Sequence, residues 1–492
     1  MKILFVYPEY PDTFWSFKHA LKFVSKKASF PPLGLLTVAA MLPEEWEKRL
    51  IDMNVSALTE DDLRWADYVF ISAMVVQKKS VLEVIKKSKR FGNRIVAGGP
   101  LFTTGYEEFD DVDHFVLNEA ESTLPSFLDD LKKGCGQRIY SSQEWPDLKK
   151  TPYPQWNLID MNKYVTMSIQ YSRGCPFNCE FCDIIVLNGH KPRTKSKQQI
   201  LGEMEVLYRQ GWRGGVFFVD DNFIGNRKKL KVEILPFLID WMKQKKYPFH
   251  FLTEASINLS DDEELMQLMV EAGFRSIFIG IESPNEDSLA ECNKYLNKNR
   301  DLIASIKKIQ VAGLEVQGGF IVGFDNDPPS IFEKQISFIQ RSGIVTAMVG
   351  LLNAPRGTRL YHRLKKENRL LNDTSGDNTD CSVNFIPKMN IENLINGYKK
   401  ILYTIYSPKH YYERVIKFLK EYKPKRLKRK TYLKFSYLKA FFKSIWVLGI
   451  MGKERFYYWK LVSWTLVRHP RFFSLAISFA IYGFHFRKIA GI

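Results

Sequence analysis

Three cysteines lie close together near the middle of the chain. They have Cys-x3-Cys-x2-Cys spacing and are Cys175, Cys179 and Cys182. Gly174 and Pro176 predict that this segment is a loop, because neither residue suits the interior of a strand or a helix. The apolar run 165–171 leads directly into it and is typical of a strand. The sequence therefore places three thiols on one loop at the end of one strand.

Three closely spaced thiolates are suited to hold an iron–sulfur cluster. A cubane cluster normally takes four protein thiolates, so three ligands leave one iron open, and an open metal position is where substrate chemistry occurs. Two other interpretations are three buried structural thiols and a structural zinc site. The zinc site lacks a nearby fourth ligand, because His190 lies eight residues after Cys182 and beyond an apolar run.

The cysteine loop, with the aromatic Phe181 just before the last cysteine, resembles the signature of the radical S-adenosylmethionine (radical SAM) superfamily. The resemblance implies that Cys175, Cys179 and Cys182 bind a 4Fe–4S cluster whose open iron binds the amino and carboxylate groups of SAM. It also implies that an electron from the cluster cleaves SAM to a 5′-deoxyadenosyl radical. Phe181 is then expected near the adenine.

Residues 1–130 read as an α/β domain in which short apolar runs alternate with helical stretches. The predicted strands are 3–7, 48–53, 68–72, 94–97 and 114–117. This alternation predicts a doubly wound parallel sheet, and such sheets bind ligands beyond the carboxyl ends of their strands. The candidate contacts at those ends are Pro8, Ser72, Gly98, Gly99 and Glu119. The aromatic, lysine-rich segment 10–27 is predicted to form a helix covering the sheet, with a substrate lid as the alternative.

This domain resembles the cobalamin-binding domain that precedes the cluster domain in one large radical SAM subgroup. It has no Asp-x-His-x-x-Gly motif, and its histidines are His19 and His114. The resemblance therefore implies no histidine ligand to cobalt from this domain. Some relatives keep the domain without the cofactor, so the sequence predicts cobalamin binding but leaves its loss open.

A polar, turn-rich linker is predicted over 131–160, followed by a partial (β/α)6 barrel over 161–375. The predicted barrel strands are 165–171, 215–219, 250–253, 276–281, 316–322 and 346–352. Polar residues follow strands two, three and four, and they can accept hydrogen bonds from the ammonium and ribose of SAM. These candidates are Asp220, Asp221, Asn222, Glu254, Ser256 and Glu282. In similar enzymes the strand-two motif meets the methionyl amino group, which leaves Glu254, Ser256 and Glu282 for the ribose and carboxylate.

The remaining region, 376–492, is predicted to be helical, basic and aromatic. Residues 409–492 carry a net charge of +17, whereas residues 1–408 carry only +1. The run 423–430 is densely cationic, and the apolar stretch 472–486 is too short to span a bilayer as a helix. Helices lying in an anionic membrane surface are one interpretation. A helical lid on the barrel, with its charge solvated, is the other. No nucleic acid is expected, because that partner does not account for the large apolar side chains.

Core and tail together resemble the radical SAM branch that includes hopanoid C-methylases and other lipid-modifying enzymes. The prediction is therefore cobalamin-dependent C-methylation of an apolar, lipid- or isoprenoid-like substrate, with an electron donor of flavodoxin or ferredoxin type. The alternatives are radical carbon–carbon bond formation or rearrangement without methyl transfer, and a membrane-associated iron–sulfur sensor or scaffold. Thiolate cluster ligation and the absence of a signal-peptide pattern predict a cytoplasmic location, with peripheral contact at the inner face of the membrane as an option.

Overall fold

The computed structural model describes residues 1–425 and 435–492, and the side chains of 435–437 are outside the description. The cationic run predicted at 423–430 therefore lies largely outside the described residues. The chain forms two parallel sheets with helices packed on them, followed by a helical C-terminal region. The predicted α/β fold is confirmed.

The first sheet has six parallel strands in the order β2-β1-β3-β4-β5-β6. They are β1 (Lys2–Tyr7), β2 (Glu47–Asp52), β3 (Tyr68–Ser72), β4 (Arg94–Gly98), β5 (His114–Val116) and β6 (Ile139–Tyr140). The helices in this part of the chain are α1 (Lys18–Val24), α2 (Leu33–Met41), α3 (Glu60–Trp65), α4 (Lys78–Arg90), α5 (Pro100–Gly105) and α6 (Ala120–Lys133). Strand order reverses between β1 and β3, which is the point where a ligand crevice opens in such sheets.

Both faces of β1 are covered. Leu4 and Val6 pack into one apolar layer, and Ile3 and Phe5 pack into the layer on the opposite face. This arrangement explains why β1 is a continuous apolar run rather than an alternating one. Strand β6 lies inside the predicted linker and pairs with β5, so the first domain in the structure reaches beyond residue 130.

The second sheet has the sequential order β14-β13-β12-β11-β10-β7, all parallel, and a two-stranded hairpin joins β8 to β9. The strands are β7 (Thr166–Ile169), β8 (Ser172–Arg173), β9 (Arg193–Thr194), β10 (Gly215–Phe218), β11 (His250–Glu254), β12 (Phe274–Glu282), β13 (Glu315–Val322) and β14 (Ala347–Leu351). The helices are α7 (Ile184–Asn188), α8 (Lys197–Arg209), α9 (Arg227–Lys229), a π-helix (Leu230–Ile234), α10 (Leu235–Gln244), α11 (Glu263–Ala272), α12 (Glu286–Glu291), α13 (Leu302–Ala312), α14 (Ile331–Ser342) and α15 (Arg359–Lys366). Because β7 and β14 are both edge strands, the barrel is partial, as predicted.

The inner side of this partial barrel is not filled by its own side chains. On β13, Val316, Phe320 and Val322 are buried under the helices. Residues 317, 319 and 321, which point the other way because side chains alternate along a strand, are only half-buried. Side chains on the inner side, which is called the lumen below, therefore keep part of their surface accessible.

The open side of the barrel is closed by both ends of the chain. Phe14 stacks near Tyr406 and Phe486, with ring centroids 6.3 Å and 5.9 Å away, and Tyr406 donates to the Ala347 carbonyl on β14. The ring of Trp15 lies 5.0 Å from Phe278 on the lumen side of β12. The segment predicted to cover the first sheet therefore packs against the barrel and the C-terminal helices instead. The reason is long-range: the aromatic partners of Phe14 and Trp15 lie more than 260 residues away along the chain.

The C-terminal region is helical, as predicted. Its helices are α16 (Ile391–Tyr406), α17 (Pro408–Glu421), α18 (Phe435–Ser444), a π-helical turn (Ile445–Ile450), α19 (Arg455–Arg468) and α20 (Phe473–Ile489). They share one apolar core with the barrel through residues such as Tyr411, Leu461 and Phe479. Within residues 1–425 and 435–492, no helix combines the length and hydropathy needed to cross a membrane.

Candidate active site

The three cysteines lie on the loop that leaves β8. Cys179 is buried, and Cys175 and Cys182 are half-buried and unbridged. Burial raises the pKa of all three thiols above the usual value for cysteine. Within the described residues, no three His, Cys, Asp or Glu side chains converge as the ligands of a single metal ion do. A cubane binds each thiolate to a different iron, so its cysteines surround a volume rather than a point.

The entry to this loop depends on Gly174. Its φ of +95° lies in the left-handed region, and a Cβ there would be 2.8 Å from the Lys191 carbonyl oxygen. The Asn188 and Gly189 carbonyl oxygens would each be 3.0 Å from the same Cβ. The loop therefore needs glycine here for both conformation and space.

Asp220 and Asp221, predicted to contact SAM, hold the cysteine loop in the structure. Asp220 accepts hydrogen bonds from the Tyr171 amide at 3.2 Å and the Ser172 hydroxyl at 2.6 Å, and burial raises its pKa to about 7. Asp221 accepts from the Gly174 amide at 2.8 Å and from Asn188 Nδ2 at 3.1 Å. Both carboxylates thus fix the strand end from which the loop departs.

A cavity of about 360 Å³ lies beside the cysteine loop. Two of the predicted SAM contacts, Asn222 and Ser256, line this cavity. The other lining residues are Pro176, Phe177, Ile224, Gly225, Arg227 and Asn258. The Ser256 amide donates to Asn222 Oδ1 at 3.3 Å, and the Ser256 hydroxyl donates to Asn258 Oδ1 at 2.7 Å. Neither Asn222 nor Asp221 caps the turn that follows them.

Sequence reasoning missed Phe177, Arg227 and Asn258. Phe177 lies inside the cysteine motif but was not singled out. Arg227 and Asn258 follow the polar ends of strands two and three by only a few residues. A wider window at each strand end would have included them, since the loop after a barrel strand, and not only its first residues, lines the site.

Glu254 ends β11 and shows no ion pair among the described residues. Burial, reinforced by the nearby charges of Asp221 and Asp220, raises its pKa to about 8. Such a carboxyl is neutral near pH 7 until a cation approaches. A carboxyl of this kind becomes a carboxylate when a sulfonium or an ammonium group binds beside it.

Glu282 pairs with Lys294, with Glu282 Oε1 and Lys294 Nζ 2.9 Å apart. Burial alone would lower the pKa of Lys294, but the charges of Glu282 and Cys179 raise it above the usual value for lysine. At Gly280 a Cβ would lie 2.3 Å from Glu282 Oε1, so glycine leaves room for the pair. Glu282 thus holds the Lys294 ammonium close enough to the cysteine loop for its charge to favour the thiolate form of Cys179.

Phe181 packs away from the cavity. Its ring centroid is 6.3 Å from that of Phe324, and it joins a small apolar cluster with buried Cys292. The aromatic residue that lines the cavity is Phe177. A position of Phe181 near the adenine therefore stays a prediction, while Phe177 is the better placed ring.

The carboxyl edge of the first sheet carries a narrow cavity of about 60 Å³. Ser72, Gly98, Gly99 and Asn118 line its polar end, and Leu35 and Leu124 line its apolar end. A Cβ on Gly98 would be 2.6 Å from the Val116 carbonyl oxygen, and one on Gly99, at φ +88°, would be 2.5 Å from Ser72 Oγ. The paired glycines thus allow the ends of β3, β4 and β5 to approach each other closely beside this crevice. Pro8 lies outside this lining, and its carbonyl accepts from Asn54 and Gln77.

Glu119, predicted to contact cobalamin, lies between the two domains. Its carboxylate pairs with Arg173 and with Arg193, each at 2.5 Å. The neighbouring Glu121 pairs with Arg173 at 2.9 Å. Burial alone would raise the pKa of Glu121, but the charge of Arg173 lowers it to about 2. The carboxylate of Glu119 is thus already paired with two arginines of the second domain. Its contact with cobalamin stays a prediction.

Comparison with protein families identifies three matching regions. Residues 24–128 match a family described as a B12 binding domain, and residues 169–339 match the radical SAM superfamily. Residues 358–492 match a domain of unknown function.

Similar whole chains are also found. An uncharacterized methyltransferase of Synechocystis sp. is 42% identical over 99% of this chain and 91% of its own length. The hopanoid C-2 methylase of Rhodopseudomonas palustris is 33% identical over 95% of this chain and 90% of its own. Among solved structures, the cobalamin-dependent radical enzyme OxsB with aqua-cobalamin bound has a TM-score of 0.64, at 15% identity, covering 99% of this chain and 80% of that one. The methyltransferase TsrM from Kitasatospora setae has a TM-score of 0.60, at 15% identity, covering 74% and 78%.

Proposed function

Since the chain belongs to the radical SAM superfamily, in the subgroup of cobalamin-dependent methyltransferases, we propose that it methylates a carbon of an apolar, lipid- or isoprenoid-like substrate. Its cofactors are a 4Fe–4S cluster, SAM and cobalamin. When bound, these groups supply reductive cleavage of SAM and the methyl group. The protein's own side chains hold the groups, orient the substrate and keep water out.

The proposed cluster ligands are Cys175, Cys179 and Cys182. Their thiols, one buried and two half-buried, have raised pKa values and lie on a loop that Asp220 and Asp221 anchor. They suit thiolate ligation that releases protons as the cluster assembles. Asn222 and Ser256, with Arg227 and Asn258 beside them, are proposed to bind SAM because they line the cavity next to the loop.

Two buried glutamates complete the proposed SAM site. Glu254 is suited to accept a hydrogen bond from a cationic group, because it has no competing ion pair in the described chain and a pKa of about 8. Glu282 is proposed to act through Lys294, whose ammonium it holds at 2.9 Å. Ser72, Gly98 and Gly99 are the proposed cobalamin contacts, since they line the crevice at the carboxyl edge of the first sheet, where such sheets bind ligands.

The aromatic lumen of the barrel is the observation that carries the substrate class. Trp15 lies 5.0 Å from Phe278, and Phe30 lies 5.1 Å from Phe217 on β10. Phe217 and Phe278 are half-buried positions whose strand neighbours face the helices. Aromatic side chains with accessible surface on the inner side of a barrel favour an apolar ligand. The hopanoid substrate class named for the relative in Rhodopseudomonas palustris agrees with this lining.

The proposed partners follow from this chemistry. A flavodoxin or ferredoxin would supply the electron, and an anionic membrane would present the lipid to a protein that stays on the cytoplasmic side. Support for the membrane comes from the net charge of +17 over residues 409–492.

The test is an anaerobic assay of the reconstituted enzyme with SAM that carries a labelled methyl group. Hopanoids, linear polyprenols and water-soluble amino acids are offered in parallel, in detergent where needed. We expect labelled methyl on a polycyclic or linear isoprenoid, together with 5′-deoxyadenosine. Label transfer only to the water-soluble compounds would refute the substrate class, and 5′-deoxyadenosine without any label transfer would refute methylation.

A further inference from the structure

The helix α18 and the π-helical turn after it expose a stripe of large apolar side chains. The stripe is Leu438, Phe442, Trp446 and Ile450. A spacing of four residues places these side chains on one side of the helix. Phe442 is 65% exposed and Trp446 is 61% exposed, so each presents most of its ring to solvent.

The neighbouring helix α19 continues this apolar surface. Phe456, Trp459 and Val467 are exposed, and the Trp459 indole donates a hydrogen bond to the Gly449 carbonyl at 2.9 Å. That bond joins the two helices beside exposed Ile450 and Met451. The exposed residues of α18, the turn and α19 are called the α18–α19 face below.

The opposite sides of the same helices already supply the packing that the fold needs. Leu448, Tyr458 and Leu461 are fully buried in the main core. The exposed stripe therefore contributes nothing to that core. An apolar surface that folding does not require, and that carries large aromatic side chains, marks a site of interaction.

The exposed charges within the C-terminal segment that forms the α18–α19 face are of one sign. Residues 431–492 contain a single carboxylate side chain, Glu454, and it is buried and paired with Arg487 at 2.7 Å. The exposed cations around the stripe are Lys439, Lys453, Arg455, Lys460 and Arg468. Aromatic and aliphatic side chains between lysines and arginines match an anionic lipid surface, where rings enter the acyl boundary and cations meet phosphates.

We propose that the α18–α19 face docks on an anionic lipid bilayer and lies in its interface without crossing it. This inference rests on the proposed function, because it gives the apolar substrate a reservoir next to the enzyme. It also assigns a role to the region that matches a domain of unknown function. A nucleic acid would use the cations but not the apolar stripe, and a protein partner would have to be acidic and apolar over the same area.

The test is co-sedimentation of the cofactor-loaded enzyme with vesicles. We expect binding to phosphatidylglycerol vesicles, weak binding to phosphatidylcholine vesicles, and loss of most binding at about 1 M salt, where the Debye length falls to about 3 Å. The double variant Phe442→Ser with Trp446→Ser is expected to lower the partition coefficient roughly tenfold or more, because it removes two large apolar anchors. Val232→Ser is the matched control, since Val232 is 74% exposed on the barrel's outer helices.

Three results would overturn the proposal. The first is equal binding of the parent to both kinds of vesicle, and the second is binding by the double variant at the parent level. The third is complete displacement of the parent from vesicles by an oligonucleotide that the parent binds as tightly as the lipid. Methylation of a substrate presented in detergent micelles separates this proposal from the proposed function. The double variant should keep this activity. A parent that is inactive in micelles refutes the proposed function. A parent that is active in micelles but does not bind vesicles refutes only the docking face.

Discussion

At the scale of single residues, the site depends on glycines that leave room for its polar groups. Gly174 sits among three carbonyl oxygens at the entry of the cysteine loop, and Gly280 lies under the Glu282–Lys294 pair. These positions carry no chemistry themselves. They decide whether the chemical groups beside them can take up their positions.

Gly174→Ala tests this requirement. The variant combines a left-handed backbone, which costs about 1 kcal/mol in a non-glycine residue, with a Cβ 2.8 Å from the Lys191 carbonyl oxygen. We expect it to lose most of its iron after reconstitution. Gly211→Ala is the control, because Gly211 has φ +86° but nothing within 4 Å of its Cβ position. Equal iron content in the two variants would contradict the steric argument.

Glu254 gives a prediction about pH. Its pKa is raised to about 8, so the folded state holds the proton more tightly than the unfolded chain, where the pKa is about 4.3. The stability contributed by this proton is complete below about pH 4.3 and is lost as the pH rises to about 8. Because glutamine cannot ionise, the Glu254→Gln variant does not lose this stability as the pH rises. The variant should match the parent at acidic pH and unfold a few degrees higher at about pH 9.

The measurement is thermal unfolding of the cluster-loaded, SAM-free protein across this pH range. Exposed Glu83→Gln serves as the control for removing one carboxylate from the surface. A difference between parent and Glu254→Gln that stays constant with pH would show that burial does not control the proton of Glu254.

At the scale of elements, the β8–β9 hairpin joins the cysteine loop to the first domain. Ser172–Arg173 pairs with Arg193–Thr194, so the hairpin brackets the whole loop. Its two arginines both reach Glu119, at the start of α6. A second bridge runs from Arg356, after β14, to Glu108 at 2.9 Å. The two strand-end surfaces are therefore held face to face by ion pairs.

The Glu119→Gln variant tests whether this bridge aligns the two domains. Removing the Glu119 charge leaves Arg193, whose side chain is only 15% exposed, without its opposite charge there. Breaking a buried ion pair in this way costs about 3–5 kcal/mol. Exposed Glu333→Gln, which loses its pair with Lys400, should cost about 0–1 kcal/mol. Urea unfolding measures both costs.

The same variant should separate two activities. If the hairpin sets the distance between the domains, SAM cleavage should persist in Glu119→Gln while methyl transfer falls, so that the ratio of 5′-deoxyadenosine to methylated product rises roughly tenfold. Parallel loss of both products, or of neither, would mean that the bridge serves stability alone.

At the scale of the whole molecule, the two ends of the chain close the barrel. Residues 14–17 and helix α20 pack on each other and on α16, and Trp15 reaches Phe278 in the lumen. Residues 14–17 thus pack on the barrel of the second domain and not on the first sheet, although they lie within the first domain in sequence. The space that we propose for the substrate is bordered by three regions that are distant in sequence.

Trp15→Ala should therefore weaken binding of the apolar substrate. We expect KM to rise roughly tenfold, because a large aromatic surface is lost, while SAM cleavage without substrate stays unchanged. Phe237→Ala is the control, since Phe237 is an aromatic residue on the outer helix α10 with 40% exposure, close to the 38% of Trp15. An unchanged KM in Trp15→Ala would remove Trp15 from the substrate site.

The sequence by itself determined the two-sheet α/β architecture, the cysteine loop and the helical tail. These features are local: apolar runs, turn residues and cysteine spacing act over a few residues, and all six predicted barrel strands appear in the structure within a few residues of their predicted bounds. The sequence also placed Asn222, Ser256, Gly98 and Gly99 at strand ends that line the two cavities, because parallel strands bring their carboxyl ends to one edge. Their roles in binding stay predictions.

Only the tertiary structure decided how the polar strand ends are used. Asp220 and Asp221 anchor the cysteine loop, and Glu119 bridges the domains, because partners such as Ser172, Gly174 and Arg193 come close only after folding. The same holds for Trp15 in the lumen and for the exposed stripe on α18. A side chain's partners depend on which distant elements pack beside it, and burial then sets the cost of leaving a charge unpaired. Neither the partners of a side chain nor its burial can be read from the spacing of residues along the chain.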